Sequence, residues 1–360
     1  MKITRLGLKN YRNCGNAELN FPTRKTLIIG KNAQGKTNIL ESIYFLSDLK
    51  SPRTSTITDL IKFKEPQFEI NAEVTKNDTE IELDYTYTIE KKRELYINKV
   101  KTNPKDFKLV VKTVLFSTKD MLLLRGTPED RRNWLDRAIS QIYPAYDERL
   151  SKYDKIRIQK NNLLKNEVID EALYDIYNEQ LVISGANIIF LRKKFLKEIE
   201  KTAFERHSII SESEELNINY TRPGESVEDI SEYLKQELAE RRREEFARRQ
   251  SCVGPHRDDI EFNINGADAT KFASQGQQRT IVLSLKLAEL EIIKEKTGYY
   301  PILLLDDVLA ELDDKRQNYL LKSIDENTQT IITSVDTLLF EEEFLKDVTI
   351  YKIENGQISV

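Results

Sequence analysis

Thr26-Leu27-Ile28-Ile29 is a short β-branched and apolar run that reads as a buried strand, and Gly30 ends it. Asn38-Ile39-Leu40-Glu41-Ser42-Ile43-Tyr44-Phe45-Leu46 follows with apolar residues at helical spacing. Between them lies Gly30-Lys31-Asn32-Ala33-Gln34-Gly35-Lys36-Thr37, a complete G-x-x-x-x-G-K-T segment. Strand, glycine loop and helix in that order are what a phosphate loop requires, and they point to an α/β fold. Gly30 and Gly35 let the backbone turn its N–H groups inward, and the helix N-terminus adds partial positive charge. Lys36 is expected to reach the β and γ phosphates of a nucleotide, and Thr37 to offer its hydroxyl to Mg²⁺. A chance glycine turn is the competing reading; correct flanks on both sides weigh against it.

Far downstream, Pro301-Ile302-Leu303-Leu304-Leu305-Asp306-Asp307 closes an apolar run on two carboxylates. A buried parallel strand ending this way puts them at the carboxyl edge of the sheet, where open α/β sheets bind ligands. Asp306 is expected to hold Mg²⁺ opposite Thr37, directly or through water. Asp307 is expected to orient or deprotonate an attacking water. Alone, the segment also fits a strand followed by an acidic turn. Between loop and carboxylates comes Ala273-Ser274-Gln275-Gly276-Gln277, opening a helical pattern through Thr280 to Ile293. A hydroxyl and a bare backbone at a helix N-terminus suit phosphate contact; a helix cap explains Ser274 as well.

Together these segments resemble the ABC-type ATPases, and within them the SMC-like branch. The superfamily's L-S-G-G-Q signature is matched at Ser274, Gly276 and Gln277, with Ala273 and Gln275 departing. Its D-loop, S-A-L-D, is met by Ala310-Glu311-Leu312-Asp313, where Leu312 and Asp313 agree. At the switch-histidine position, after Thr330-Ile331-Ile332-Thr333, the chain has Ser334, so the γ-phosphate sensor stays open between Ser334 and Thr333. Asp307 stands where most of these ATPases carry Glu; one methylene shorter, it implies slow turnover.

The resemblance narrows to the RecF family of bacterial repair proteins. Met1 to Asn13, Gly35 to Glu41, Arg125 to Arg132, Gly254-Pro255-His256-Arg257-Asp258-Asp259, Ser274 to Thr280 and Leu304 to Leu309 all look like RecF stretches, in the right order from end to end. That resemblance implies an ABC-type head of mixed sheets around a phosphate-loop core, with an inserted, mainly helical lobe. It implies a homodimer closed around ATP, with Ser274, Gly276 and Gln277 of one chain meeting the nucleotide of the other. Gly30, Asn32, Ala33, Gln34, Gly35, Lys36, Thr37 and Asn38 would contact ATP, and Arg12 would approach its phosphates. Gapped DNA and single-strand/duplex junctions are the implied ligands, with RecO and RecR as partners in loading the recombinase RecA.

Composition bounds what remains. The chain has 360 residues, enough for about two domains. The apolar runs are strand-sized, too short to span a bilayer. Cys14 and Cys252 are the only cysteines, too few for a disulfide framework, and no leader pattern precedes the first strand, so a reducing cytoplasm is expected. His207 and His256 are too few for a histidine-built metal site. A net charge of −4 argues against constitutive, charge-driven DNA binding, so any DNA binding should be conditional and salt-dependent.

Strand patterns fill the chain to about residue 115, including the alternating Glu80-to-Ile89 run. From about 128 to 250 the pattern is helical; Leu181, Ile188, Leu191, Phe195 and Ile199 recur at helical spacing. The expected division is a head from 1–125 and 251–360, with a lobe at 126–250. Glu240 to Arg249 and the Lys152, Lys155, Arg157, Lys160 set read either as solvated helix faces or as phosphate contacts. Arg53, in Ser51-Pro52-Arg53-Thr54, could be an ordinary turn residue. His256 to Asp259 reads as part of the fold rather than as catalytic. The competing functions are an ATP-binding scaffold with little turnover, a transporter subunit, and a nuclease component. The insert is too long for the second, and no nuclease domain is evident for the third.

Overall fold

The computed structural model describes residues 1–211, 214–354 and 356–359. The chain forms two compact units, Met1–Asp120 with Glu289–Val360, and Met121–Ala288.

In the first unit, the strand Lys25–Ile29 lies inside a sheet ordered Gln357–Ser359, Val348–Glu354, Lys25–Ile29, Thr330–Ser334, Ile302–Asp306, Thr113–Ser117. All its pairings are parallel except the final hairpin. Parallel sheets are covered on both faces, which is why Leu303-Leu304-Leu305 and Ile331-Ile332 are unbroken apolar runs and are all buried. A second sheet is antiparallel, in the order Cys14–Asn20, Lys2–Tyr11, Gln67–Lys76, Thr79–Thr88, Lys92–Ile97, Val100–Lys101. Its members alternate; Phe68, Ile70, Ala72 and Val74 face inward along Gln67–Lys76.

The helix Lys36–Asp48 is buried from Ile39 to Asp48. Ile39, Ile43 and Leu46 join one core with Phe68 and Tyr85 of the antiparallel sheet and Leu304 and Ile331 of the parallel one. Phe45 meets Tyr85 edge to face at 4.8 Å. Each such side chain contributes about 1.5–3 kcal/mol by leaving water, so the helix is fixed by its sides while its N-terminus stays at the sheet edge.

The second unit is mainly helical, with Pro128–Ile142, Tyr146–Leu164, Glu171–Ser211 and Val227–Glu240 as its long helices. Leu181, Ile188, Phe195 and Ile199 are buried as their spacing suggests, and Leu191 is half-buried. A strand at Leu216–Tyr220 was absent from the helical reading of this region. It is short, and it is held by pairing with the distant Ile260–Ile264. Residues 251–288 pack within this unit, although the sequence reading returned the chain to the head at 251.

The reason is the Gly254-to-Asp259 segment. Gly254 has φ +125°, and a Cβ there would lie 2.2 Å from the Tyr153 hydroxyl. His256 Nε2 donates to the Ser251 carbonyl at 3.2 Å, so its Nδ1 accepts from the Tyr153 hydroxyl at 2.6 Å. Burial, with Arg157, Arg257 and Arg132 nearby, pushes the His256 pKa down to about 3, so the ring is neutral. Asp258 takes Arg222 and Tyr220, and Asp259 takes Arg131 in a two-pronged pair. Arg192, 2% exposed, forks onto Asp136 at 2.9 Å through both nitrogens and also reaches the Pro255 carbonyl at 2.6 Å.

No helix among the described residues is long and apolar enough to cross a membrane. Both cysteines are buried and unpaired.

Arg192→Met should destabilise the second unit by about 3–5 kcal/mol, because it removes one partner of a largely buried ion pair and leaves Asp136 without its counterion. Urea unfolding followed by tryptophan fluorescence at Trp134 reads this directly. A loss under about 1 kcal/mol would show that solvent screens the pair as it does a surface one.

Candidate nucleotide site

Parallel register assembles the site. Asp306 lies beside Thr333, and Ser334 beside Ile29, so the loop after Ile29 and the carboxylates after Leu305 share one sheet edge. The loop backbone is bent accordingly: Gly30, Ala33 and Gly35 have φ of +157°, +66° and +116°. A Cβ on Gly30 would sit 2.5 Å from the Ile353 carbonyl, so only glycine fits. Side chains outside the motif pin the loop. Asn13 donates to the Gln34 carbonyl at 3.1 Å, the Gly356 N–H reaches the same carbonyl at 3.0 Å, and Asn38 donates to Asn13 Oδ1 at 2.7 Å. Lys31, Asn32 and Ala33 are exposed at the crest. The helix that follows has no acidic residue in its first turn, so nothing local competes with an anion there.

Lys36 is buried and folds back on its own loop, donating to the Gly30 carbonyl at 2.7 Å, with Asp307 at 3.9 Å. Thr37 gives its hydroxyl proton to Asp306 Oδ1 at 2.9 Å, which leaves the Thr37 oxygen lone pairs available to a cation. Thr333 bonds the same Oδ1 at 3.0 Å. Burial raises the Asp306 pKa above the ordinary carboxylate range; donation from Thr37 and Thr333 pulls it down, Asp307 pushes it up, and Arg53 pulls it down again. A half-buried carboxylate in that position favours a cation beside it. Among the described residues no group of three or more His, Cys, Asp or Glu side chains could hold a metal. Thr37 and Asp306, two hard oxygen donors brought together, could hold Mg²⁺, which takes a few such ligands from protein and completes its shell with phosphate and water.

A second tier of side chains is centred on Glu41, whose role the motif reading missed; Arg12 was expected at the nucleotide phosphates. Glu41 is fully buried, and Arg12 forks onto it at 2.9 and 2.6 Å. Arg12 also donates to the Asp59 carbonyl at 2.9 Å, so its guanidinium is committed within the protein. Arg53 reaches the same Glu41 at 3.4 Å and Asn38 Oδ1 at 2.7 Å, and Ser51 donates to Glu41. Arg53 is thus more than a turn residue: it is tied to the phosphate-loop helix. The signal was Glu41 itself, one charge in the otherwise apolar Asn38-to-Leu46 helix, which no core accepts unpaired. At the switch position, Ser334 is buried and its carbonyl takes the Gly30 N–H at 3.3 Å, while Thr333 is the residue whose side chain meets Asp306.

Ser274, Gly276 and Gln277 belong to the second unit. Ser274 caps the helix Gln275–Thr297 in a reciprocal box: its Oγ accepts the Gln277 N–H at 3.2 Å, and Gln277 Oε1 accepts the Ser274 N–H at 2.7 Å. Ser274 is nonetheless exposed. Asp313 caps the helix Asp314–Ser323 by accepting the Arg316 N–H at 2.9 Å. In the Glu240-to-Arg249 run, Arg241 and Arg248 pair with Glu244, Arg242 pairs with Glu171 and Asp175, and buried Glu245 meets Lys160. Those charges are largely satisfied within the unit.

Asp306→Asn should raise the unfolding midpoint at pH 7. An aspartate whose pKa is raised on folding adds stability below its unfolded pKa, and that stability is lost as pH rises through the folded pKa. The amide keeps an acceptor for Thr37 and Thr333 without a charge, so its advantage should shrink as pH falls through the raised pKa. Melting curves from pH 4 to 8 (about the range over which a raised carboxylate titrates) measure it; equal midpoints at every pH would contradict it.

The family described as RecF/RecN/SMC N terminal domain matches residues 2–359. DNA replication and repair protein RecF of Streptococcus gordonii is 41% identical over 363 residues, spanning 99% of this chain and 100% of that one. RecF of Bacillus subtilis is 37% identical over 368 residues, with 99% and 100% covered. A solved structure of the recombination mediator protein RecF-ATP in the RecFOR pathway superposes with a TM-score of 0.90 at 34% identity, covering 99% of this chain and 96% of that one. The Smc head domain of Pyrococcus furiosus, at 15% identity and a TM-score of 0.56 over 99% of this chain and 95% of that one, shares the fold alone. The chain belongs to the RecF family of DNA replication and repair proteins.

Proposed function

We propose that this chain is an ATP-dependent DNA-binding protein of recombinational repair, working in the cytoplasm as an ATP-closed homodimer at gaps and single-strand/duplex junctions. With RecO and RecR it would help load RecA. The observation that carries the nucleotide part is the joining of Thr37 to Asp306 beneath a phosphate loop held by Asn13 and Gly356. The similarity to a RecF-ATP structure supports the same ligand.

In this reading the loop N–H groups and Lys36 bind the β and γ phosphates, for which Lys36 gives up the Gly30 carbonyl. Thr37 and Asp306 would hold Mg²⁺, which would supply charge neutralisation at the phosphates. Asp307 orients the water, and Arg53, tethered through Asn38, lies close enough to add positive charge on that side. The functional head comprises 1–125 and 251–360, so the signature helix serves the nucleotide although residues 251–288 pack with the lobe at 126–250. Ser274, Gly276 and Gln277 cap the nucleotide bound by a second copy, which makes DNA binding conditional on ATP and suits the net charge of −4. Slow hydrolysis at Asp307 resets the dimer.

Binding of a fluorescent gapped duplex, with and without ATP and Mg²⁺, tests the reading. ATP should tighten binding at least about tenfold, and Lys36→Met, which removes a charged phosphate donor, should abolish the gain. Binding indifferent to both would reject the ATP-gated clamp; a scaffold would bind ATP and leave DNA alone. Ser274→Arg should bind ATP within about threefold of the parent (it is exposed and outside the loop) yet fail to dimerise in sedimentation velocity. Retained dimerisation would exclude the signature helix from the interface.

A further inference from the structure

One hydroxyl touches both carboxylate residues of the nucleotide site. Thr333 Oγ accepts the Asp307 backbone N–H at 2.9 Å and gives its single proton to Asp306 Oδ1 at 3.0 Å. The Leu305 carbonyl, at 3.4 Å, is the poorer acceptor. Thr333 is 1% exposed, so water does not stand in for either contact.

Asp306 Oδ1 takes donors from Thr37 and Thr333 together. A carboxylate oxygen has about two lone-pair sites, so Oδ1 is filled and Oδ2 is left as the ligating atom. Remove Thr333's donor and the carboxyl group can rotate about its last bond, which is a broad, two-fold torsion. Asp307 depends on the same hydroxyl in another way. Its φ is +52°, a left-handed conformation that a non-glycine residue adopts only under restraint, and the bond from its N–H to Thr333 helps hold it there. Successive strand side chains point to opposite faces, so only one of Thr333 and Ser334 can serve Asp306.

We propose that Thr333 is the positioning residue of this site, its one hydroxyl fixing the carboxylate orientation of Asp306 and the backbone of Asp307 at once. It acts through those residues and does not touch the nucleotide. The inference rests on the ATP reading above. The two carboxylate residues are ordered from inside the strand, one residue before Ser334.

The test uses the full chain and N-methylanthraniloyl-ATP, titrated in EDTA and again with Mg²⁺, alongside steady-state turnover. Thr333→Val keeps the shape and removes the hydroxyl. It should bind the probe in EDTA within about threefold of the parent, lose about tenfold of the affinity gained with Mg²⁺, and lose about tenfold or more in kcat with little change in KM, the scale of one lost hydrogen bond to a charged group. Thr333→Ser should restore both to within about threefold. If the valine variant does not fold, Thr333→Ala reads the same quantities without a methyl against the carboxylate. A parent that binds no probe overturns the ATP reading itself. A parent that binds, with a hydroxyl-free variant matching it in Mg²⁺ gain and kcat, or a serine variant as impaired as valine, overturns the Thr333 assignment alone.

Discussion

The bond from Thr37 to Asp306 joins residues 269 positions apart at 2.9 Å, and much of the first unit exists to make that distance possible. Neither residue can move independently. Thr37 begins a helix clamped in the core by Ile39, Ile43 and Leu46, and Asp306 ends a strand with a parallel neighbour on each side. A one-residue slip of the Ile302–Asp306 strand would turn Asp306 to the opposite face. The unbroken apolar runs are the means of preventing it, since their burial is what sets the pairing.

Around that bond the site holds features that a fold optimised for stability would avoid. Asp306 is a partly buried carboxylate with a raised pKa, Asp307 and Ala33 are left-handed, and Glu41 is a fully buried charge. Each is restrained by specific partners: Thr333 for the carboxylates, Asn13 and Gly356 for the loop, Arg12 and Arg53 for Glu41. Because a buried charge stripped of its partner costs several kcal/mol, these clamps make the site rigid as well as polar. Rigidity here is an electrostatic requirement, since fixed dipoles are what discriminate one charge distribution from another.

The core of this site was legible because its chemistry is local. A glycine loop needs its strand and helix beside it, and an apolar strand announces where its terminal carboxylates will sit. Asn13, Glu41 and Gly356 were not legible in the same way. They belong to the site through contacts across the fold, and an asparagine after a strand looks like any turn former. Glu41 left a trace, a lone charge in an apolar helix, but its partners Arg12 and Arg53 lie in loops that no periodicity connects. The Leu216–Tyr220 strand was hidden for a related reason: five residues flanked by helices carry too little alternation to outweigh their surroundings. Gly254 to Asp259 stood out in the sequence, yet its work as a hub for Tyr153, Arg192 and Arg222 depends on residues far from it in the chain.

The parallel sheet also sets an order of assembly during synthesis. The Lys25–Ile29 strand is made before the Met121–Ala288 unit, and its two neighbours, Thr330–Ser334 and Val348–Glu354, are made after it. The unit from Met121 to Ala288 is continuous in the chain and can collapse while the rest is still being translated, as domains made in sequence do. That strand must wait, its apolar residues uncovered, until the later segments supply its partners. A truncated chain would therefore carry an intact phosphate-loop motif with no sheet to seat it, and an exposed hydrophobic edge in its place.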